Sequence, residues 1–219
     1  MTQRLLERAS GRDDYCALYA CLVENCPGEN LPVAFRTPCL SGKRIQKHHD
    51  LDLRLPISPR CKYVILFRKP FLSILSLYEW TFRNGETAAF SVNGERITVT
   101  DCEDVFNLFV AIQAGRWREF AKKWIIAARG PNIRKFDYMN LATRAEEQKQ
   151  LVKFVFGEGQ CDKDRLETIT KRQEDRIKND PNALRRPEDF RYSIDAAISA
   201  TRAIIGEGLL QACGVGDVI

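Results

Sequence analysis

The sequence is poor in patterned metal and redox ligands. It holds two histidines in 219 residues, adjacent at His48 and His49, and its eight cysteines include no Cys-x-x-Cys pair. A tetrahedral metal site draws four such ligands from short spacings, so no metal centre is expected. Cys16, Cys21, Cys26, Cys39, Cys61, Cys102, Cys161 and Cys213 are scattered, several of them among apolar residues, which reads as free thiols in a reducing, cytoplasmic setting. Gly-x-x-x-x-Gly-Lys-Ser/Thr, Gly-x-Gly-x-x-Gly and Gly-x-Ser-x-Gly are all missing. Their absence argues against a nucleoside-triphosphate hydrolase of the P-loop kind, a dinucleotide-binding oxidoreductase and an elbow-type hydrolase. No apolar run approaches the roughly 20 residues that span a bilayer, and the first residues carry no signal-peptide core, so neither a membrane span nor a secretory leader is expected. There is no internal repeat, no low-complexity tract and no RNP-like aromatic segment.

What the chain does contain is the composition of one globular domain over 1–219, 44% hydrophobic and 29% charged. The net charge of +5 comes from interspersed residues of both signs. It suits a small polyanionic ligand and does not mark a nucleic-acid surface. The most informative stretch runs from Lys62 to Tyr78. Tyr63 to Phe67 reads as a buried strand, Lys69 before Pro70 is pushed towards extended geometry, and Pro70 suits the first position of a helix. Apolar residues then recur at helical spacing through Phe71, Ile74, Leu75 and Tyr78. Arg68 thereby falls at the carboxyl end of a strand, the edge at which open α/β sheets bind ligands. Together with Ser76, eight residues on, it is placed to grip one anion; Ser73 is the neighbouring alternative one turn earlier. The plainer reading makes Arg68 a surface ion-pair partner and Ser76 a hydroxyl bonded to its own helix.

An arginine two residues before a proline at a strand end, with a serine eight residues after it, resembles the 3′-phosphate-binding motif of sulfotransferases that use 3′-phosphoadenosine 5′-phosphosulfate. Further stretches follow in that family's order. Lys47-His48-His49 resembles the Lys-x-His segment that carries the catalytic base. The run 132–141 is similar to the strand ending in Tyr-x-Asp-Leu, with Asn140 in place of the acid. Ala145 to Phe156 followed by Gly157 resembles the helix that closes with an aromatic and a glycine. The likeness covers roughly residues 45–190.

The resemblance implies an α/β, three-layer fold with a central, mainly parallel sheet flanked by helices and a P-loop-like sulfotransferase topology. It implies His49 as the base, Lys47 steadying the sulfuryl oxygens, and Arg68 and Ser76 on the 3′-phosphate. Tyr138 would contact the adenine, and Arg185 and Arg186 would stand where the family carries a basic segment reaching the 3′-phosphate, although Pro187 follows where a glycine is usual. The cofactor would be 3′-phosphoadenosine 5′-phosphosulfate and the acceptor a hydroxyl, or an amine, on a small molecule or glycan, with homodimerisation left open. One segment departs from the pattern. Where the family has an apolar strand feeding a Lys-Ser-Gly-Thr-Thr-like loop, this chain offers Ser10, Gly11 and Arg12 with no apolar strand before them and Asp13 and Asp14 after. Two functions therefore stand side by side: a working sulfotransferase, and a non-catalytic nucleotide-binding or scaffold protein of the same fold.

The rest of the chain reads as follows. Tyr15 to Val23 suggests a short helix. Ala89 to Val99 around Asn93-Gly94 is a hairpin signal. Asp101 with Glu103 and Asp104 opens a helix that Gly115 is expected to break, and Trp117, Phe120 and Trp124 fall on one face, as core or as an aromatic acceptor pocket. Ile133 to Tyr138 is a second parallel strand, and Tyr192 to Leu210 a closing helix.

Overall fold

The computed structural model describes residues 15–17, 45–47, 61–83, 85–92, 95–157 and 190–219, with single positions at 53, 57, 59 and 171. It mixes helix and strand and divides into two compact units, one formed by Met1–Phe67 with Ala128–Ala183, the other by Arg68–Ala127 with Leu184–Ile219. In the first unit β1 (Tyr15–Ala17) pairs parallel with β2 (Ile45–Lys47), and β3 (Tyr63–Phe67) pairs parallel with β6 (Ile133–Asp137). In the second, β4 (Thr87–Val92) and β5 (Glu95–Thr100) form an antiparallel hairpin. Each sheet has two strands among the described residues. Among the described residues β3 pairs with β6 alone, and its burial alternates, Tyr63 and Ile65 inside and Val64 and Leu66 half-covered.

Helices α3 (Tyr138–Thr143) and α4 (Ala145–Phe156) follow β6 and build the first unit's core. Phe136, Leu141, Leu151 and Val152 form its centre, flanked by Val64, Leu66, Val155 and Phe156. The β3–β6 pair is tied beyond its ladder: Asn132 Nδ2 donates to the Cys61 carbonyl at 2.8 Å, and the Tyr63 amide to the Asn132 carbonyl at 2.8 Å. Lys62 Nζ donates to the carbonyls of Phe154 and Val155 at 2.8 and 3.2 Å, a cation seated at the negative end of α4. Gly157 closes that helix with φ 94°, as a glycine does after a helix end.

The second unit contains α1 (Pro70–Thr81), α2 (Glu103–Phe120) running into a π-helical stretch (Ala121–Ala127), then α5 (Asp195–Ile205) and α6 (Glu207–Ala212). Phe71, Ile74, Leu75 and Tyr78 bury one side of α1 and Phe106, Phe109, Val110, Ala114 and Trp117 one side of α2, against each other and α5.

Several boundaries differ from expectation. Tyr15–Ala17 is extended, because three residues gain more from a parallel partner than from an isolated helical turn, whose nucleation is costly. The helix from Pro70 ends at Thr81, where Phe82 leaves the helical path and lays its ring 4.7 Å from that of Tyr78. Gly115 does not break α2; the apolar stripe continues through Ala114, Trp117 and Ala121, and its packing outweighs a cost of about 1 kcal/mol for a helical glycine. The closing helix is two, split at Gly206 with φ 86°. The hairpin and the strand after Asn132 lie where the sequence puts them, and Trp117 and Trp124 are core residues.

Candidate functional site

Arg68 follows β3 at once. Lys69 takes extended geometry (φ −47°, ψ 130°) as the N-cap of α1, and Pro70 occupies its first turn. Pro70 has no N–H, so the first amide donor of α1 is that of Phe71. The turn is braced from α2, where Trp117 Nε1 donates to the Arg68 carbonyl at 3.3 Å. Arg68 is half-buried and its Nε is shielded from solvent. Ser76 lies two turns into α1 on the face away from Phe71, Ile74 and Tyr78 and is exposed; Ser73, one turn earlier, is half-covered. The strand, the proline turn and the helix that the sequence implied are thus all formed around Arg68.

In the first unit, Tyr138 opens α3 directly after β6 and is half-buried. The residue before it, Asp137, caps the helix by accepting from the Asn140 amide at 3.0 Å, so Asn140 contributes its backbone to the turn. Lys47 is the last residue of β2, in register with Ala17. His48 and His49 lie outside the described residues, as do Ser10, Gly11, Arg12, Arg185 and Arg186. Among the described residues the first strand, β1, comes after Ser10, Gly11 and Arg12 in the chain. Among the described residues no three His, Cys, Asp or Glu side chains gather as metal ligands; Cys61, Cys102 and Cys213 are free thiols, and no helix is long and apolar enough to cross a membrane.

Among the described residues of the second unit, a polar cluster lies outside the sites expected from the sequence. Asp101, between β5 and α2, accepts from the hydroxyl of Tyr78 on one carboxylate oxygen and, at 2.9 Å, from the hydroxyl of Tyr192 on the same oxygen; Arg191 pairs with the other. The Arg191 guanidinium lies 5.4 to 5.6 Å from the ring centres of Tyr78, Phe190 and Tyr192, within cation–π range. Phe106 and Phe109 meet Tyr78 edge-on at 5.1 and 5.2 Å. Burial, then the bond to Asp101, pushes the Tyr78 phenol well above its ordinary range, and Tyr192 moves the same way for the same reasons. Burial by itself would lower Arg191, but its bond with Tyr192 and the Asp101 charge outweigh that and hold it above its usual value. Phenols held protonated around an occupied carboxylate are poor bases and nucleophiles. The cluster fastens residues 190–192 to the ends of α1 and α2. The one sequence signal for it was Asp101 ahead of Glu103 and Asp104, which reads equally as a helix start.

Comparison of the chain with protein-family models, with curated proteins and with solved structures finds no match.

Proposed function

We propose that the protein binds 3′-phosphoadenosine 5′-phosphosulfate, with Arg68 and Ser76 on the 3′-phosphate, and transfers its sulfuryl group to a hydroxyl or amine of a small-molecule or glycan acceptor. The observation that carries the reading is the consecutive run from Tyr63 to Thr81: a parallel strand, an arginine after its carboxyl end, a proline-started helix, and a serine on that helix. The second parallel strand with Tyr138 after it, and α4 with Phe156 and Gly157 closing it, support the reading in the same order. On this reading the two parallel pairs of the first unit belong to one sheet within a three-layer fold.

The chemistry is an in-line displacement. The acceptor oxygen forms a bond to sulfur as the bond from sulfur to the bridging phosphate oxygen breaks. The acceptor's proton passes to His49, Lys47 steadies the sulfuryl oxygens, and 3′-phosphoadenosine 5′-phosphate leaves. Histidine suits the step because its ordinary pKa lies near neutrality. A non-catalytic nucleotide-binding protein is the second reading. It is favoured by Asp13 and Asp14, which repel a 5′-phosphosulfate where the family welcomes one.

The test offers the purified protein sulfur-labelled cofactor and a panel of acceptors. Label transfer by the wild type, reduced about 10²- to 10⁴-fold in His49→Asn with nucleotide affinity kept, supports the enzyme. Transfer undiminished in that variant removes His49, and binding without transfer selects the second reading. By calorimetry Arg68→Ala should weaken 3′-phosphoadenosine 5′-phosphate binding at least about tenfold, the scale of a charge-assisted bond, and unchanged affinity refutes the phosphate assignment.

A further inference from the structure

The segment Gly214–Ile219 folds back over the turn that holds Arg68. Gly214 and Gly216 both take φ 68°, a left-handed conformation costly for other residues, and they bend the chain after α6. The bend seats Val218, fully buried, beside the start of α1, where its carbonyl accepts from the Phe71 amide at 3.0 Å. Lys69 Nζ donates to the main-chain oxygen of Ile219. On its outer side the segment is fastened by Asp217, which pairs with Arg202 of α5 at 2.8 Å and accepts from the Val218 amide at 2.6 Å. The Arg202 bond first, then the Val218 amide, hold the Asp217 carboxyl below the usual carboxylate range, so it stays charged at neutral pH.

We infer that Gly214–Ile219 is a strap that competes with anion binding at the Arg68 turn. The inference rests on the reading of Arg68 as an anion-binding residue. An anion approaching Arg68 would be met by the Lys69 ammonium and by the first amide of α1, at the positive end of the helix. The strap occupies both donors with main-chain oxygens. Two of its attachments differ in kind: Val218 is an apolar anchor, whereas Arg202–Asp217 is a largely exposed ion pair, the sort that contributes little and is screened by salt. Loosening the outer fastening therefore lets the strap lift from the turn more often while Val218 keeps its place in the core.

The experiment uses the full chain with Asp217→Asn, which removes the pair, and Val218→Ser, which weakens the anchor. Hydrogen exchange at the Phe71 amide reports the strap, and calorimetry with 3′-phosphoadenosine 5′-phosphate and with pyrophosphate reports the anion. The expected result is faster exchange at Phe71 in both variants, with anion affinity raised about two- to fivefold in Asp217→Asn, the scale of an exposed ion pair. Exchange unchanged in both variants, or faster exchange with affinity unchanged or weaker, overturns the strap. If pyrophosphate binding tightens while the nucleotide binds no variant, the strap stands and the nucleotide reading falls. If neither probe binds any variant, both fall.

Discussion

Tyr78 shows how far one side chain can depart from its apparent role. Its place in the apolar repeat of α1 is legible in the sequence, and its ring is buried as that repeat implies. Its hydroxyl is tied to Asp101, and the other members of the cluster, Arg191 and Tyr192, lie some 90 positions from Asp101, beyond the reach of any local pattern. Replacing Tyr78 by Phe keeps the ring and removes one bond, which should cost about 0.5–1.5 kcal/mol at neutral pH by urea unfolding. The pH dependence has a definite sign. The folded phenol's pKa lies above its ordinary value of 10.0, so folding favours the protonated form. That contribution is intact below about pH 10 and is lost as the pH rises beyond it, because the unfolded chain sheds the proton first. Wild-type stability should therefore decline above pH 10, and Tyr78→Phe should decline less steeply, with Tyr192 supplying the remaining slope. Parallel declines would show that Tyr78 does not contribute.

At the scale of elements, local signals specify the hairpin and the start of α1. The β4–β5 hairpin pairs Val92 with Glu95, leaving the two residues Asn93 and Gly94 between the strands, and the Pro70 start of α1 follows from proline's fixed φ. Gly115 misled because a helix-breaking preference of about 1 kcal/mol is smaller than the burial of the aromatic and aliphatic side chains on either side of it. A Cβ added at Gly115 would meet nothing within 4 Å. Gly115→Ala should accordingly raise stability by about 0.5–1 kcal/mol, seen as a higher urea midpoint with the slope unchanged. A lower midpoint would mean that α2 depends on the glycine. Gly130 is the contrast. Its φ is 144°, and a Cβ there would stand 2.7 Å from Asn132 Oδ1, so the same substitution is unfavourable between the π-helical stretch and β6.

Across the whole molecule the chain passes between its two units three times, so neither unit is continuous in sequence. Tyr63 finds Ile133 seventy positions away; each strand is legible locally but their pairing is not, because parallel strands leave no turn signal between them. For the candidate site, the Arg68 turn could be read because its strand, proline and helix are consecutive; the strap could not, since Val218 meets Phe71 from the far end of the sequence. A fragment ending at Ala127 would retain β3 and lack β6 with the core residues Phe136, Leu141 and Leu151. It should show no cooperative unfolding of its first unit by circular dichroism, and a sharp transition in that fragment would refute the dependence. The two kinds of strand pair also differ under mechanical load. A pull on the chain from both ends draws β3 and β6 lengthwise past each other, loading five registered pairs at once, while β4 and β5, whose outer ends lie side by side at Thr87 and Thr100, unzip pair by pair. A translocase or unfoldase gripping this chain would peel the hairpin open cheaply and meet its resistance at β3 and β6.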